Sequence, residues 1–287
     1  MIQYLLYQFA HALLTRLPLR FSYWISDRVA DLHFVFSLNS RRQILKNFYW
    51  ILGRRERHDE RKAREVFRNF GKNLVDFLCL SCIDKEAFFR RVRVKGLHYV
   101  SQTLSCGKGA IGVTAHLGNW EWGGVGLSLL GFPVHALVLS QQNRWVNQFF
   151  INQRVRKGVQ VIDLTDSIWK VIQRLDKNEM ILLVTDREIS NNGIPVSFLG
   201  RKVYFPRGPA ALSRRCGSPL VFGFMVRREN GFFDLEFQVP IEPIRTHDPS
   251  SDLERMTQQM ASIIEVAVRR YPTQWFHFQG LREVPAT

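Results

Sequence analysis

The hydrophobic positions change period repeatedly along this chain. A short apolar run at 110–115 suits a buried strand, and a second at 180–185 ends at Asp186. Between them, 133–140 and 159–163 are strand candidates, while 143–157 and 166–176 repeat with a helical period. Such alternation predicts an α/β fold whose mainly parallel sheet carries helices on its faces. Residues 190–209 are rich in Gly and Pro and predict a loop and hairpin. A helix over 209–216, strands near 220–226 and 232–239, and an amphipathic helix over about 252–271 complete the pattern. At the start, residues 2–14 are apolar and aromatic but broken by Gln3, Gln8 and His11. By pattern alone they suit a helix lying in a membrane interface as well as one packed on the protein's own core. Pro18 interrupts the chain, and 21–38 predict a second amphipathic helix. The expected organisation is a helical arm over 1–40 and an α/β domain over 41–287, with no internal repeat.

The most informative stretch is 109–124, G-A-I-G-V-T-A-H-L-G-N-W-E-W-G-G. His116 falls where the central strand should end, and Gly118 and Asn119 supply a turn and a helix cap. In a parallel α/β sheet, ligands collect beyond the carboxyl ends of the strands. His116 and Asp186 both stand at such ends. An imidazole can take a proton from a hydroxyl near neutral pH, provided a partner fixes its tautomer. Five positions on, Glu121 is the expected partner, folding back from the first turn of the next helix. That helix start also offers N–H groups and a positive dipole end to an oxyanion. For a bare His and Glu at this spacing, a buried histidine in a Gly-rich turn is the competing reading, but the whole H-L-G-N-W-E string is far more specific. The G-K-G-A-I-G string at 107–112 is not a dinucleotide loop, because it precedes a strand instead of following one.

The H-L-G-N-W-E string after a strand resembles the H-x4-D/E motif of glycerolipid-type acyltransferases. In its G-N-W-E form it resembles the late acyltransferases of lipid A biosynthesis, whose relatives include the phosphatidylinositol mannoside acyltransferases. The D-R-E…G-I-P-V-S-F-L-G…P-R-G-P-A-A-L pattern of 186–212 and the closing Y-P-T-Q-W-F of 271–276 extend the resemblance over nearly the whole chain. It implies a glycerolipid-acyltransferase-like fold and an N-terminal helix in contact with the membrane, here short or interrupted. It also implies transfer of a fatty acyl chain from an acyl thioester, on acyl carrier protein or acyl-CoA, to a hydroxyl of an anionic glycolipid such as a lipid A precursor. His116 would act as base with Glu121 orienting it. No cofactor beyond the thioester co-substrate and no metal would be needed. Arg154 or Arg156 falls where the family carries a functional arginine, and Asp186 falls on an acidic position near its site. Asp186 could orient substrate or neutralise Arg187. Arg207, just ahead of Gly208 and Pro209, is a candidate phosphate ligand at a helix start.

Charge narrows the partners. Forty Lys and Arg against 25 Asp and Glu leave a formal net charge of +15, which favours anionic lipid surfaces or an acidic carrier protein. No nucleic-acid-binding signature accompanies the charge, so nucleic acid is not expected. The dense basic run over 41–72 reads either as a helix face laced with ion pairs or as a surface for anionic headgroups. Four scattered cysteines fit a reducing compartment, and the Cys79–Cys82 pair lacks the further ligands a zinc site requires. No cleavable signal peptide and no uninterrupted membrane span are expected. The expected location is the cytoplasmic face of the inner membrane, peripheral or monotopic.

Overall fold

A computed structural model of the chain describes residues 1–285. Four helices come first: α1 (Ile2–Leu14), α2 (Leu19–Phe36), α3 (Leu38–Leu52) and α4 (Asp59–Leu78). After α5 (Lys85–Arg91), β1 (Val92–Lys95) and α6 (Leu97–Ser105), the alternating section begins with β2 (Ala110–Thr114) and α7 (Trp120–Leu129). It continues through β3 (Val134–Val138), α8 (Arg144–Val155), β4 (Gln160–Asp163), α9 (Ile168–Asp176) and β5 (Met180–Val184). The hairpin is β6 (Ile194–Phe198) with β7 (Arg201–Phe205), followed by α10 (Gly208–Cys216), β8 (Leu220–Arg227), β9 (Phe233–Phe237) and α11 (Pro249–Arg270).

Seven strands form one sheet in the order β1-β9-β8-β2-β5-β3-β4. β8, β2, β5, β3 and β4 run parallel, while β9 runs antiparallel to β8 and carries β1 parallel to itself. The two-residue period of β2 divides the core. Ile111 and Val113 face a layer made by α9, α10, α11 and the hairpin, and Ala110 faces a layer made by α5, α6, α7 and α8. Burial on both faces explains why β2 and β5 read as continuous apolar runs and do not alternate. Gly112 is small because Leu182 of the neighbouring strand fills the space a side chain would need.

The N-terminal helices are integrated with the rest of the fold. α2 turns Ala30 and Phe34 into a core shared with Phe48 of α3, Phe67 of α4 and Phe276. α1 packs on α8 through Tyr7 against Phe149 and Phe150, with ring centroids 6.2 and 5.3 Å apart. His11 Nδ1 lies 2.7 Å from the Leu78 carbonyl at the end of α4. The opposite face of α1, with Ile2, Leu5, Leu6 and Phe9, is exposed. No helix among the described residues is long and apolar enough to cross a membrane. Much of the basic run is engaged internally: Arg64 and Arg68 on Asp31, Lys72 on Asp27, Arg41 on Glu60, and Lys62 on Glu56. Hydrogen bonds from Arg68 and Arg64 hold the Asp31 carboxyl well below the usual carboxylate range. The ion-paired reading of that run therefore accounts for much of it.

Candidate active site

The site is built where β2 and β5, neighbours in the sheet, end side by side. Leaving β2, the chain turns at Gly118, whose φ of 60° favours glycine. The Met225 carbonyl stands where a side chain at this position would begin, and this close approach is what requires glycine. Gly118 N donates to the Gln274 carbonyl at 2.8 Å and Asn119 N to the Met225 carbonyl at 2.7 Å. Asn119 then caps α7, its side-chain oxygen accepting from Trp122 N at 3.1 Å.

This turn presents His116 to Asp186. His116 Nδ1 lies 2.7 Å from Asp186 Oδ1. A carboxylate only accepts, so Nδ1 carries the proton and Nε2 of the neutral ring keeps the lone pair. The second carboxylate oxygen, Oδ2, accepts from His116 N at 3.1 Å and from Trp275 Nε1 at 2.9 Å. Burial would push the Asp186 carboxyl up, but the charge and hydrogen bond of His116 more than offset it and hold the group well below the usual range. The imidazole is part-exposed, with 21% of its side chain open to solvent, and Trp120 meets it edge-on at 5.1 Å.

The expected His116–Glu121 pairing is corrected here. Glu121, in the first turn of α7, is taken by Arg154 of α8 through two parallel hydrogen bonds of 2.8 and 2.5 Å. The reason is electrostatic. A guanidinium this far out of water needs a carboxylate, and the bidentate fork is the strongest pairing it can make. Burial would lower the Arg154 pKa, yet attraction to Glu121 raises it. Phe77 lies 5.4 Å from its guanidinium carbon. Asp186, expected to orient substrate or to neutralise Arg187, is hydrogen-bonded to His116 and also feels the charge of Arg187.

A sequence model of the bacterial lipid A biosynthesis acyltransferases matches residues 1–281. The chain belongs to that family. Among curated proteins it is similar to the phosphatidylinositol mannoside acyltransferase of Mycolicibacterium smegmatis, at 24% identity over 204 residues, covering 70% of this chain and 65% of that protein. It is also similar to the proteins of the same name from two strains of Mycobacterium tuberculosis, at 25% and 26% identity, covering 65% of this chain and 58% of each. The matched region thus spans less than two thirds of the length of these relatives. In this member of the lipid A acyltransferase family, the other expected site residues separate clearly. Arg154, near the end of α8, holds Glu121, whereas Arg156 is the exposed cap of α8. Arg207 is exposed and bonds Asn192 at 3.3 Å, away from the His116 cluster's hydrogen bonds. Arg187 is largely buried, donates to the Phe276 carbonyl at 2.7 Å, and has its pKa lowered by that burial.

Several supporting residues escaped the sequence reading. Asn73 donates to the Gly118 carbonyl at 2.6 Å, and buried Asp76 accepts from Asn119 at 3.0 Å. Asp76 also pairs with Arg227 and accepts from Tyr23 at 2.5 Å, tying α2, α4 and β8 to the turn. Burial, then Asp76, pushes the Tyr23 hydroxyl up to about 12. The polar cleft of about 840 Å³ between α4 and the β8–β9 hairpin touches none of the His116 cluster, and its Arg68 and Arg227 are already ion-paired.

His277 lies behind Asp186, its Nε2 3.2 Å from the Asp186 carbonyl. Burial pushes its pKa down to about 4, so it is neutral in the fold. An unfolded histidine titrates near about 6.5, so between that value and about 4 the unfolded chain binds the extra proton. Stability should therefore fall as pH drops through this window, by on the order of 3 kcal/mol in total. Urea midpoints at pH 7 and 4.5 check this: the loss should be clearly smaller in His277→Gln, and equal losses in the two proteins would refute the assignment.

Proposed function

We propose that this protein is an O-acyltransferase that moves a fatty acyl chain from a thioester to a hydroxyl of a glycolipid. The observation that carries the proposal is the His116–Asp186 pair at the strand ends, with Nε2 of the ring left to accept a proton. Nε2 takes the proton of the acceptor hydroxyl as that oxygen attacks the thioester carbonyl. The tetrahedral intermediate collapses, the carbon–sulfur bond breaks, and the imidazolium returns its proton to the departing thiolate. Asp186 keeps Nδ1 protonated and offsets the charge that forms on the ring. The oxyanion has the amino end of α7 nearby, since that helix begins four residues beyond His116. No covalent enzyme intermediate is required.

The finer reading is a lipid A precursor as acceptor and acyl carrier protein as donor. Family membership supports the first, and the +15 net charge supports docking of an acidic carrier. The names of the mycobacterial relatives support a mannosylated phosphoinositide acceptor as the second reading. Lipid mass spectra of cells with and without the protein test both, since the mass and fragments of the missing product name the chain and the acceptor. Purified protein given acyl carrier protein thioester and acyl-CoA in parallel tests the donor. Absence of thiol release from either donor in the presence of extracted glycolipid would sink the proposal.

The same reading places the protein on the cytoplasmic face of an anionic membrane. The outward face of α1 is apolar, α2 exposes Phe21, Trp24, Leu32, Val35 and Phe36, and the exposed Arg16 lies between the two helices with the exposed Arg20 in the first turn of α2. Changing Ile2, Leu5, Leu6 and Phe9 together to Ser leaves the inward face of α1 untouched and should reduce co-sedimentation with anionic vesicles about tenfold or more. Undiminished vesicle binding would assign these residues no role in docking.

A further inference from the structure

The closing segment of the chain lies directly against the catalytic turn. After a short 3-10 turn at Pro272–Gln274, it runs extended beside residues 116–118. Gln274 accepts from Gly118 N at 2.8 Å, Trp275 bridges Leu117, and Phe276 N donates to the His116 carbonyl at 2.7 Å. This segment therefore holds the backbone of His116 from one side. Its alternate side chains reach the partner of His116. Trp275, only 1% exposed, donates its indole N–H to Asp186 Oδ2 at 2.9 Å, and His277 Nε2 meets the Asp186 backbone carbonyl.

We propose that Trp275 is a positioning residue for the His116–Asp186 pair, its indole N–H fixing the rotation of the Asp186 carboxylate so that Oδ1 stays committed to the imidazole. The inference rests on His116 acting as the base. Its physical content is a donor count. A buried carboxylate that serves as an orienting acceptor has to have its other oxygen satisfied, or it will rotate toward whichever donor is nearest. Here the two donors to Oδ2 are the His116 amide and the indole. An indole N–H suits the task because it only donates and does not titrate. The remaining charged or titratable groups around the carboxylate are His116 itself, His277 and Arg187. The wide ring of Trp275 also packs edge-on to Phe198 at 6.0 Å, which prevents the donor from swinging away.

The test removes the N–H and keeps the bulk. Trp275→Phe is assayed for thiol release across pH, and the His116 ring is titrated by NMR in the same protein with labelled histidine. Losing one donor concentrates negative charge on the carboxylate facing the imidazolium. The acid limb of kcat and the His116 titration should both move to higher pH by about half a unit or more, with kcat about tenfold down and KM within about twofold. Phe198→Leu trims the same aromatic packing without touching Asp186 and should shift neither titration. Should Trp275→Phe fail to fold, replacing the indole by benzothiophene preserves the ring shape without the N–H, and the same shifts are expected. Unmoved titrations, whether or not kcat falls, would overturn the positioning role and leave Trp275 as packing. The underlying base assignment fails separately: it is lost if His116→Ala retains activity, whatever Trp275→Phe does.

Discussion

Asp186→Asn should fold normally and lose acyl transfer by roughly three to four orders of magnitude. In this variant the two donors that now bind Oδ2, His116 N and Trp275 Nε1, would hold the amide oxygen in its place. The amide NH2 then faces Nδ1 of His116. That arrangement favours the lone pair on Nδ1 and the proton on Nε2, the opposite of what a base needs. Substrate binding is unaffected by the tautomer, so the loss should fall on kcat with KM little changed. Single-turnover thiol release at saturating donor measures it directly. Glu121→Gln provides the discriminating comparison. Its effect should be smaller, because what it weakens is the Arg154 ion pair and not the ring's orientation. A nearly active Asp186→Asn beside a dead Glu121→Gln would restore Glu121 as the partner of His116 and overturn the pairing described above.

Asp76→Ala should be the most destabilising single substitution near the site. Asp76 is fully buried, and its carboxylate serves Arg227, Asn119 and Tyr23 at once. Removing it leaves the Arg227 guanidinium, 9% exposed, without its carboxylate between the rings of Phe233 and Tyr23. Breaking one side of a buried pair typically costs about 3–5 kcal/mol, because the surviving charge stays out of water without compensation. For a chain of this size that corresponds to a fall in melting temperature of roughly 5–10 °C. The double variant Asp76→Ala with Arg227→Met removes both charges and should recover a substantial part of the loss. A melting temperature within about 2 °C of the parent for Asp76→Ala would show that the cluster does not hold α2, α4 and β8 to the turn.

These two expectations concern residues that differ in how legible they were. The strands and helices from 110 to 216 are readable within a few residues of where the structure places them. Asp186 stands out in the sequence as an acid at a strand end, with orienting substrate or neutralising Arg187 as its expected tasks; its bond to His116 is not legible there. Asp76 and Arg227 gave no signal at all. One sits on an amphipathic helix among many charges and the other at the end of an apolar strand, and nothing local distinguishes them from solvated residues. Trp275 is legible in the sequence only as part of a closing segment resembling the family's, with no task attached.

By itself the sequence determined the strand–turn–helix around His116. It did so because period, turn chemistry and helix capping act between residues a few positions apart, and Gly118 and Asn119 can be read without knowing what surrounds them. The tertiary structure alone decided who partners whom. His116 and Asp186 are 70 positions apart and meet only because β2 and β5 are neighbours in the sheet. Glu121, much closer along the chain, is withdrawn from the imidazole because a buried guanidinium 33 positions away competes for it and binds it bidentately. Which carboxylate meets the His116 imidazole thus depends on the buried charges that converge on one place, a property of the packed fold and not of any spacing in the chain.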